Sequence, residues 1–301
     1  MKKVLITGGA GFVGSHLQSV LSNSNSAVGK YELEIFDLKF GQDVRNYEQI
    51  RNAVDRFQPD LIFHLAAQAF VPEGNTNPHR VFSVNLEGTL NLLEAVKQTG
   101  HQSRILVAGT SEEYGYDRDD PELTEQSSTN PSTPYGVSKL AASTLAMTYV
   151  RNFQMNIVAT RAWNHIGKGA SPSYAVSAFA KRIAEAEKYG TAVKHGNLDS
   201  IRNYTDVRDI IDGYLKIIDC EPGIYNIAGE NSVSTKVVLE MLTSFADKPI
   251  KFEANNNLYR PMSLKFPKPN CSKLQNLTGW KQKFSLEETL KDVLDYWRLK
   301  I

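Results

Sequence analysis

Cysteine is nearly absent from this chain: Cys220 and Cys271 are the only two in 301 residues. They lie far apart and form no C-x-x-C, so neither a disulfide framework nor a metal site is indicated, and a reducing compartment fits. Net charge is also nearly absent, at +1. No sequence-wide field therefore draws the chain to nucleic acid or to an acidic membrane. No stretch approaches the ~20 apolar residues of a membrane span. Met1-Lys-Lys-Val-Leu-Ile begins like a signal peptide, but its apolar run stops at Thr7. That is too short for the core of such a signal, and it reads as a buried strand. Repeats and low-complexity linkers are missing as well. What remains is the expectation of a cytoplasmic globular protein of one large or two modest domains, with ample material for a core.

Within that frame the first half alternates apolar runs with helical patterns. Residues 4–7, 33–38, 60–66, 105–109 and 157–161 read as buried strands. Residues 11–22, 47–57, 81–98 and 134–152 read as helices between them. Such alternation implies an α/β fold, a doubly wound parallel Rossmann sheet covered on both faces. After Trp163 the rhythm loosens. A loop over 167–172 leads to a helix that Ser173 and Tyr174 open and that runs to Lys188. Asp206 is a candidate N-cap for the next helix, and residues 224–228 form a late strand. Residues 255–261 form an irregular loop, and 285–298 a terminal helix whose Ser285 and Glu288 are spaced as a capping box. The expected division is 1–165, with about 206–228, for the dinucleotide. Residues 166–205 and 229–301 form a smaller, interleaved substrate lobe.

Gly8-x-x-Gly11-x-x-Gly14 follows the first strand and opens the first helix, the context in which this motif carries weight. Glycine lets the backbone, here with Phe12 and Val13, turn tightly and approach a pyrophosphate at the positive helix end. Asp37 ends the second strand, where a carboxylate binds the adenosine ribose and repels a 2′-phosphate, favouring NADH over NADPH. Lys39, two residues on, would attract that phosphate instead, and a strand-end cap is the plain alternative for Asp37. Asp43 and Val44 fall where the chain passes the adenine, and Leu65, Ala66, Ala67 and Gln68 where it passes the nicotinamide ribose. Asn85, a mediocre helix former, is expected to bond backbone across the sheet rather than to act in catalysis.

Tyr135 and Lys139 lie one helical turn apart, phenol and ammonium on one face. A free phenol titrates at about 10, and a neighbouring cation favours phenolate. The pair therefore reads as hydride transfer coupled to proton transfer at a carbonyl or alcohol. Thr110, at the C-terminal end of the fourth strand, can donate a hydrogen bond to a substrate oxygen beside Tyr135, with Ser111 the competing hydroxyl.

These motifs, in this order, resemble the extended short-chain dehydrogenase/reductase family over essentially the whole chain. Arg161-Ala-Trp-Asn-His-Ile-Gly-Lys-Gly169, Gly196-Asn-Leu198, Arg202-Asn-Tyr-Thr-Asp-Val-Arg-Asp209, Tyr225-Asn-Ile, Arg260-Pro261 and Leu277-Thr-Gly-Trp280 are most similar to GDP-4-keto-6-deoxy-D-mannose reductases, relatives of GDP-mannose 4,6-dehydratases. The resemblance implies NAD(P)H as cofactor and a GDP-linked sugar as substrate, in deoxysugar biosynthesis for surface polysaccharide. It also implies a homodimer built on helices 81–98 and 134–152, with Leu140, Leu145 and Met147 at the contact. Gln68, Ser111, Asn164, Lys181, Asn197, Arg202 and Arg260 are the expected substrate residues, the cations suiting a diphosphate. Asn203 stands where that family has aspartate and Lys168 where it has proline, while Pro72-Glu-Gly-Asn75 is an unusual loop. Glu112 matches a glutamate that works on C5–C6 elimination in the dehydratases. Here it serves the same chemistry or orients the sugar. The chain has Gly167-Lys-Gly-Ala170 where those dehydratases carry Pro-Arg-Arg-Gly, which favours reduction. A dehydratase or 4-epimerase with bound NAD(P)+ is the alternative, and a non-catalytic dinucleotide sensor a third reading.

Overall fold

The structure, a computed structural model, describes residues 1–23, 31–116, 120–230, 232–255, 258 and 267–301. The chain opens β1 (Lys2–Thr7), α1 (Phe12–Ser22), β2 (Tyr31–Phe36), α2 (Tyr47–Phe57), β3 (Leu61–His64), α3 (Val71–Thr76) and α4 (Pro78–Phe82). A π-helical turn (Ser83–Glu87) joins α4 to α5 (Gly88–Thr99), and β4 (Arg104–Ala108) follows. A 3-10 turn (Ser111–Glu113) precedes β5 (Glu122–Leu123), α6 (Pro134–Phe153), β6 (Asn156–Ala162), β7 (Asn164–Ile166) and α7 (Ala175–Tyr189). Then come β8 (Val193–His195), β9 (Ile201–Asp206), α8 (Val207–Ile217), β10 (Gly223–Ile227), β11 (Ser232–Ser234), α9 (Thr235–Ser244) and β12 (Phe252–Ala254). The chain closes with β13 (Lys268–Pro269), α10 (Ser272–Thr278) and α11 (Leu286–Lys300).

Six strands form the central sheet in the order β10-β6-β4-β3-β1-β2, and every pair in it is parallel. The strands read as unbroken apolar runs because both faces are covered. Successive residues point to opposite faces. Val4, Ile6, Phe63, Leu106 and Val158 therefore join the core under α1 and α8. Leu5, Ile62, Ile105, Val107 and Ile157 join the one under α2, α5 and α6. The chain order reverses beside β1, and crevices at such switch points, outside the C-terminal strand ends, hold ligands in open α/β sheets. A third core gathers Val176, Phe179 and Ile183 of α7 with Val238 and Leu242 of α9 and Leu290 and Val293 of α11. The sheet β11-β9-β7 lies beside it in sequence.

Most expected elements are present, including Asp206 capping α8 through Arg208 N and the Ser285–Glu288 capping box of α11. Three readings differ. The helix expected over 81–98 is interrupted by the π turn, which carries Asn85. Asn85, buried, accepts from Gln68 N at 2.8 Å and donates to Gln68 O at 3.2 Å and Ser138 Oγ at 2.9 Å. It thus bonds backbone across the sheet, as its poor helix propensity suggests, and ties the loop after β3 to α6. The segment Pro72–Asn75 is part of α3 rather than a loop. Proline is tolerated in a first turn, and Glu73 sits at the positive helix end. The strand expected to reach residue 66 ends at His64. The 255–261 loop falls largely outside the described residues. Among the described residues no helix is long and apolar enough to cross a membrane.

Trp280, almost wholly buried, closes the core under α8 and donates Nε1 to Asp209 O at 3.0 Å. Trp280→Ala removes a large buried side chain and is expected to cost about 3–5 kcal/mol. Urea unfolding should show the midpoint falling accordingly. A midpoint within error of the parent would mean that this corner of the core contributes little.

Candidate active site

The glycine turn is dictated by space. Gly8 sits at φ +70°, and a Cβ there would lie 2.6 Å from Ala66 N. A Cβ on Gly14 would lie 2.5 Å from both Gly8 O and Gly9 O. Gly11 caps α1 without a side-chain hydrogen bond, and the first turn, which holds Phe12 and Val13, carries no acidic residue. The positive helix end is thus open to an anion, and these residues fit the pyrophosphate of a dinucleotide. Asp37 accepts from Ala10 N at 2.9 Å and Lys39 N at 2.8 Å, so it caps the strand end and braces the glycine turn together. Asp43 is held below the ordinary carboxylate range by its hydrogen bonds and ion pair with Arg45. Val44 is buried in the core. Leu65, Ala66 and Ala67 run directly behind Gly8, with Leu65 N donating to Thr7 O at 3.0 Å.

Pro134 in the first turn and Thr133 as N-cap start α6. Thr133 Oγ1 accepts from Gly136 N at 3.0 Å and donates to Glu112 Oε2 at 3.0 Å, fixing helix and carboxylate together. Gly74 of α3 passes close to Tyr135 N. Tyr135 and Lys139 are both buried on one face of α6. Thr110 caps the 3-10 turn, its Oγ1 accepting from Glu112 N at 3.3 Å. Burial pulls the Lys139 ammonium down to about 8, and Glu113 opposes this. Burial and the Glu112 charge push the Tyr135 phenol up, while the Thr110 hydroxyl pulls it back. Desolvation is thus the largest influence on the phenol in this chain.

Two carboxylates on the 3-10 turn diverge. Glu112 faces the site, bonded to Thr133 and to Tyr116, with Arg202 exerting an attractive charge; burial nonetheless raises it. Glu113 points inward to Arg161 in a fully buried ion pair at 3.0 Å. Glu113 finds its partner 48 residues away in the sequence, where local reasoning does not reach. Tyr116 was also missed. The Arg202 guanidinium lies 5.9 Å over its ring, which brings Arg202 beside Glu112. Phe70 and Tyr174 meet edge to face at 6.1 Å.

The remaining expected residues divide. Gln68 is held through its backbone by Asn85 and through its side chain by Glu73. Ser111 is buried in the 3-10 turn beside Glu112. Asn164 is exposed at the start of β7, its Nδ2 3.4 Å from Asn203 O. Asn203 itself is buried and donates to Gly229 O at 2.8 Å. Asn197 closes a turn of its own loop by accepting from Asp199 N at 2.8 Å. Lys181 is turned elsewhere: it pairs with Glu185 on α7 and lies 5.6 Å over the Trp297 ring of α11. Its expected place in the diphosphate site would require it to leave this exposed i, i+4 pair, which is weak. Arg260 lies outside the described residues. His165 stacks on Phe12 at 6.2 Å, a packing role.

His64 lies against Thr7 Oγ1 through Nδ1 at 2.7 Å and against Thr89 Oγ1 through Nε2 at 3.1 Å. Thr89 donates its proton to Asn85 O, so His64 Nε2–H donates and Nδ1 accepts from Thr7. Burial and Lys139 hold this neutral ring at about 3, against an ordinary 6.5. The unfolded chain binds a proton as pH falls through 6.5, whereas the native ring does not until about 3. Stability is therefore lost as pH falls across that window. His165, also depressed by burial, acts in the same direction. Thermal unfolding of a His64→Gln variant should fall less steeply between pH 7 and pH 5 than that of the parent; an equal slope would exclude His64 as the source.

The chain matches the GDP-mannose 4,6 dehydratase family over residues 5–293. The GDP-6-deoxy-D-mannose reductase of Pseudomonas aeruginosa is 27% identical over 305 residues, covering 100% of this chain and 98% of that protein. The structure of RMD from Pseudomonas aeruginosa complexed with NADPH is similar at a TM-score of 0.88 and 26% identity, over 99% of this chain and 100% of that one. The UDP-glucose 4-epimerase of Thermus thermophilus in complex with NAD reaches a TM-score of 0.87 and 28% identity, over 99% and 100%. These relatives share a nucleotide-sugar substrate and a nicotinamide dinucleotide while differing in what they do with them. Since the family match runs from β1 into α11, it spans the glycine turn, Thr110, Tyr135 and Lys139 alike, and the chain belongs to the GDP-mannose 4,6 dehydratase family within the extended short-chain dehydrogenases/reductases.

Proposed function

We propose that the protein reduces the C4 keto group of a GDP-linked 4-keto-6-deoxyhexose with NAD(P)H. What carries this reading is the full-length likeness to the Pseudomonas aeruginosa reductase, over 100% of this chain and 98% of that protein. Thr110 at the end of β4, with Tyr135 and Lys139 on one face of α6, supports it, and burial with Glu112 pushes the Tyr135 phenol up, toward the acid form that reduction uses. Residues 1–165 with 206–228 hold the dinucleotide; 166–205 and 229–301 hold the nucleotide sugar. Gly8, Gly11 and Gly14 take the pyrophosphate at the α1 N-terminus, and Asp37 takes the adenosine ribose.

The bound dinucleotide supplies the hydride. Tyr135 supplies the proton to O4. Thr110 donates a hydrogen bond to the same oxygen as charge develops on it. Lys139, charged below about 8, binds the nicotinamide ribose and steadies the phenolate that proton transfer leaves. Glu112, Ser111 and Gln68 orient the sugar, and Arg202, Asn164 and Asn197 serve its diphosphate end. Glu112, bonded to Thr133 beside Tyr135, also keeps the second reading alive: a carboxylate there can take a proton from C5 of a 4-keto sugar, as elimination needs. The protein acts as a homodimer through α5 and α6. Leu145 and Met147 already pack in part against the core, so Leu90, Val137 and Phe153, exposed on those helices, carry more of the contact.

Tyr135→Phe removes only the hydroxyl. Single-turnover oxidation of bound NAD(P)H by the GDP-linked keto sugar should slow by about 10²–10⁴-fold, with sugar affinity little changed. A near-normal rate would transfer the proton to another group, Glu112 first. Asp37→Ala should weaken NADH more than NADPH in fluorescence titrations; an unchanged affinity ratio would remove Asp37 from the ribose site.

A further inference from the structure

Glu113 is fully buried, a position carboxylates occupy only when paired. Its three hydrogen bonds come from three elements. Oε1 accepts from Thr110 N at 3.1 Å, at the end of β4, and from Ser143 Oγ at 3.0 Å, on α6. Oε2 accepts from Arg161 Nε at 3.0 Å, on β6. Ser143 is one turn beyond Lys139 and two beyond Tyr135, on the same face of α6. A Cβ on Gly109 would lie 2.5 Å from Glu113 Oε1 and 2.0 Å from Thr160 O, so the carboxylate lies directly over the strand end that carries Thr110. Arg161 is anchored in turn. Its Nη1 is 3.3 Å from Glu125 O, and its guanidinium lies 4.6 Å over the Tyr114 ring, whose hydroxyl donates to Asn226 on β10. A buried ion pair is weak as a source of stability, since apolar replacements of the same volume often serve as well. Its placement here, with the carboxylate on the two elements that carry the catalytic hydroxyls, calls for another role.

We infer that Glu113, locked to Arg161, is a positioning residue that ties the end of β4, which carries Thr110, to the face of α6 that carries Tyr135 and Lys139, and sets its carboxylate one turn along that face from the Lys139 ammonium. The role in catalysis rests on the reading of Thr110, Tyr135 and Lys139 given above. The titratable groups acting with Lys139 are His64 from β3 and Glu113 from the 3-10 turn, and Tyr135 shares its face of α6. Burial holds His64 neutral, which leaves Glu113, paired with Arg161, as the anion.

The test uses the full chain labelled with 13C-lysine, with Lys139→Arg identifying the Lys139 resonance. Lys139 should titrate near 8 in the parent and at lower pH in Glu113→Gln, which loses the anion and leaves Arg161 uncompensated. The alkaline limb of kcat should move down with it, and kcat should fall on the order of 10- to 100-fold with KM for the sugar little changed. Ser143→Ala, which cuts only the link to α6, should lower kcat while leaving the Lys139 titration in place. If Glu113→Gln does not fold, the uncharged double variant Glu113→Gln/Arg161→Gln should shift Lys139 in the same direction. If neither folds, Ser143→Ala decides, and a normal kcat overturns the inference. A folded Glu113→Gln or double variant in which Lys139 titrates as in the parent also overturns it. The titration needs neither cofactor nor sugar, so a parent protein that reduces no GDP-linked keto sugar would defeat the proposed activity and leave this result standing.

Discussion

Burial of a phenol and an ammonium on one face of α6 is the constraint from which the rest of the site follows. Taken out of water, both groups are driven toward their neutral forms. For Lys139, moved from 10.5 to about 8, that displacement corresponds to roughly 3 kcal/mol. Every neighbour can be understood as a response to it. Glu113 opposes the loss of the ammonium's charge, Thr110 acts on the phenol, and burial keeps His64 neutral, its tautomer fixed by Thr7 and Thr89, so that it adds no second cation near Lys139. Gly109 is required because the Thr160 carbonyl and the Glu113 carboxylate approach this strand end more closely than a Cβ permits.

The same constraint shapes the choice among chemistries in the family. Reductase, epimerase and dehydratase relatives match nearly the whole of this chain, and their reactions differ in which proton moves first. Burial and then the Glu112 charge push the Tyr135 phenol up, toward the form that donates a proton. Glu112, between Thr133, Tyr116 and Arg202, also links α6 to β9.

Much of this was legible in the residues. The cofactor turn, Thr110, Tyr135 and Lys139 announce themselves because their chemistry needs fixed spacings on a strand end and a helix face, and local periodicity places those elements. What was not legible depends on contacts far apart in sequence. Arg161 meets Glu113 only because β4 and β6 are neighbours in the sheet, and Arg202 reaches Tyr116 only because β9 folds back beside the 3-10 turn. The partners of Lys181 were not legible because a cation on a helix carries no sign of which side it faces. The Trp297 ring beside it is over a hundred residues away in the chain. The π turn at Asn85 was half legible: the residue's poor helix propensity marked the place without giving the geometry.

The central claim is net reduction at C4, and isotope transfer tests it most directly. The protein would be given GDP-4-keto-6-deoxymannose with NADPH or NADH deuterated at the nicotinamide C4. The reading requires one deuterium at sugar C4 for each cofactor oxidised, seen by mass spectrometry and proton NMR of the product. Conversion of the sugar with no net oxidation of cofactor would contradict it and establish an epimerase or dehydratase cycle instead.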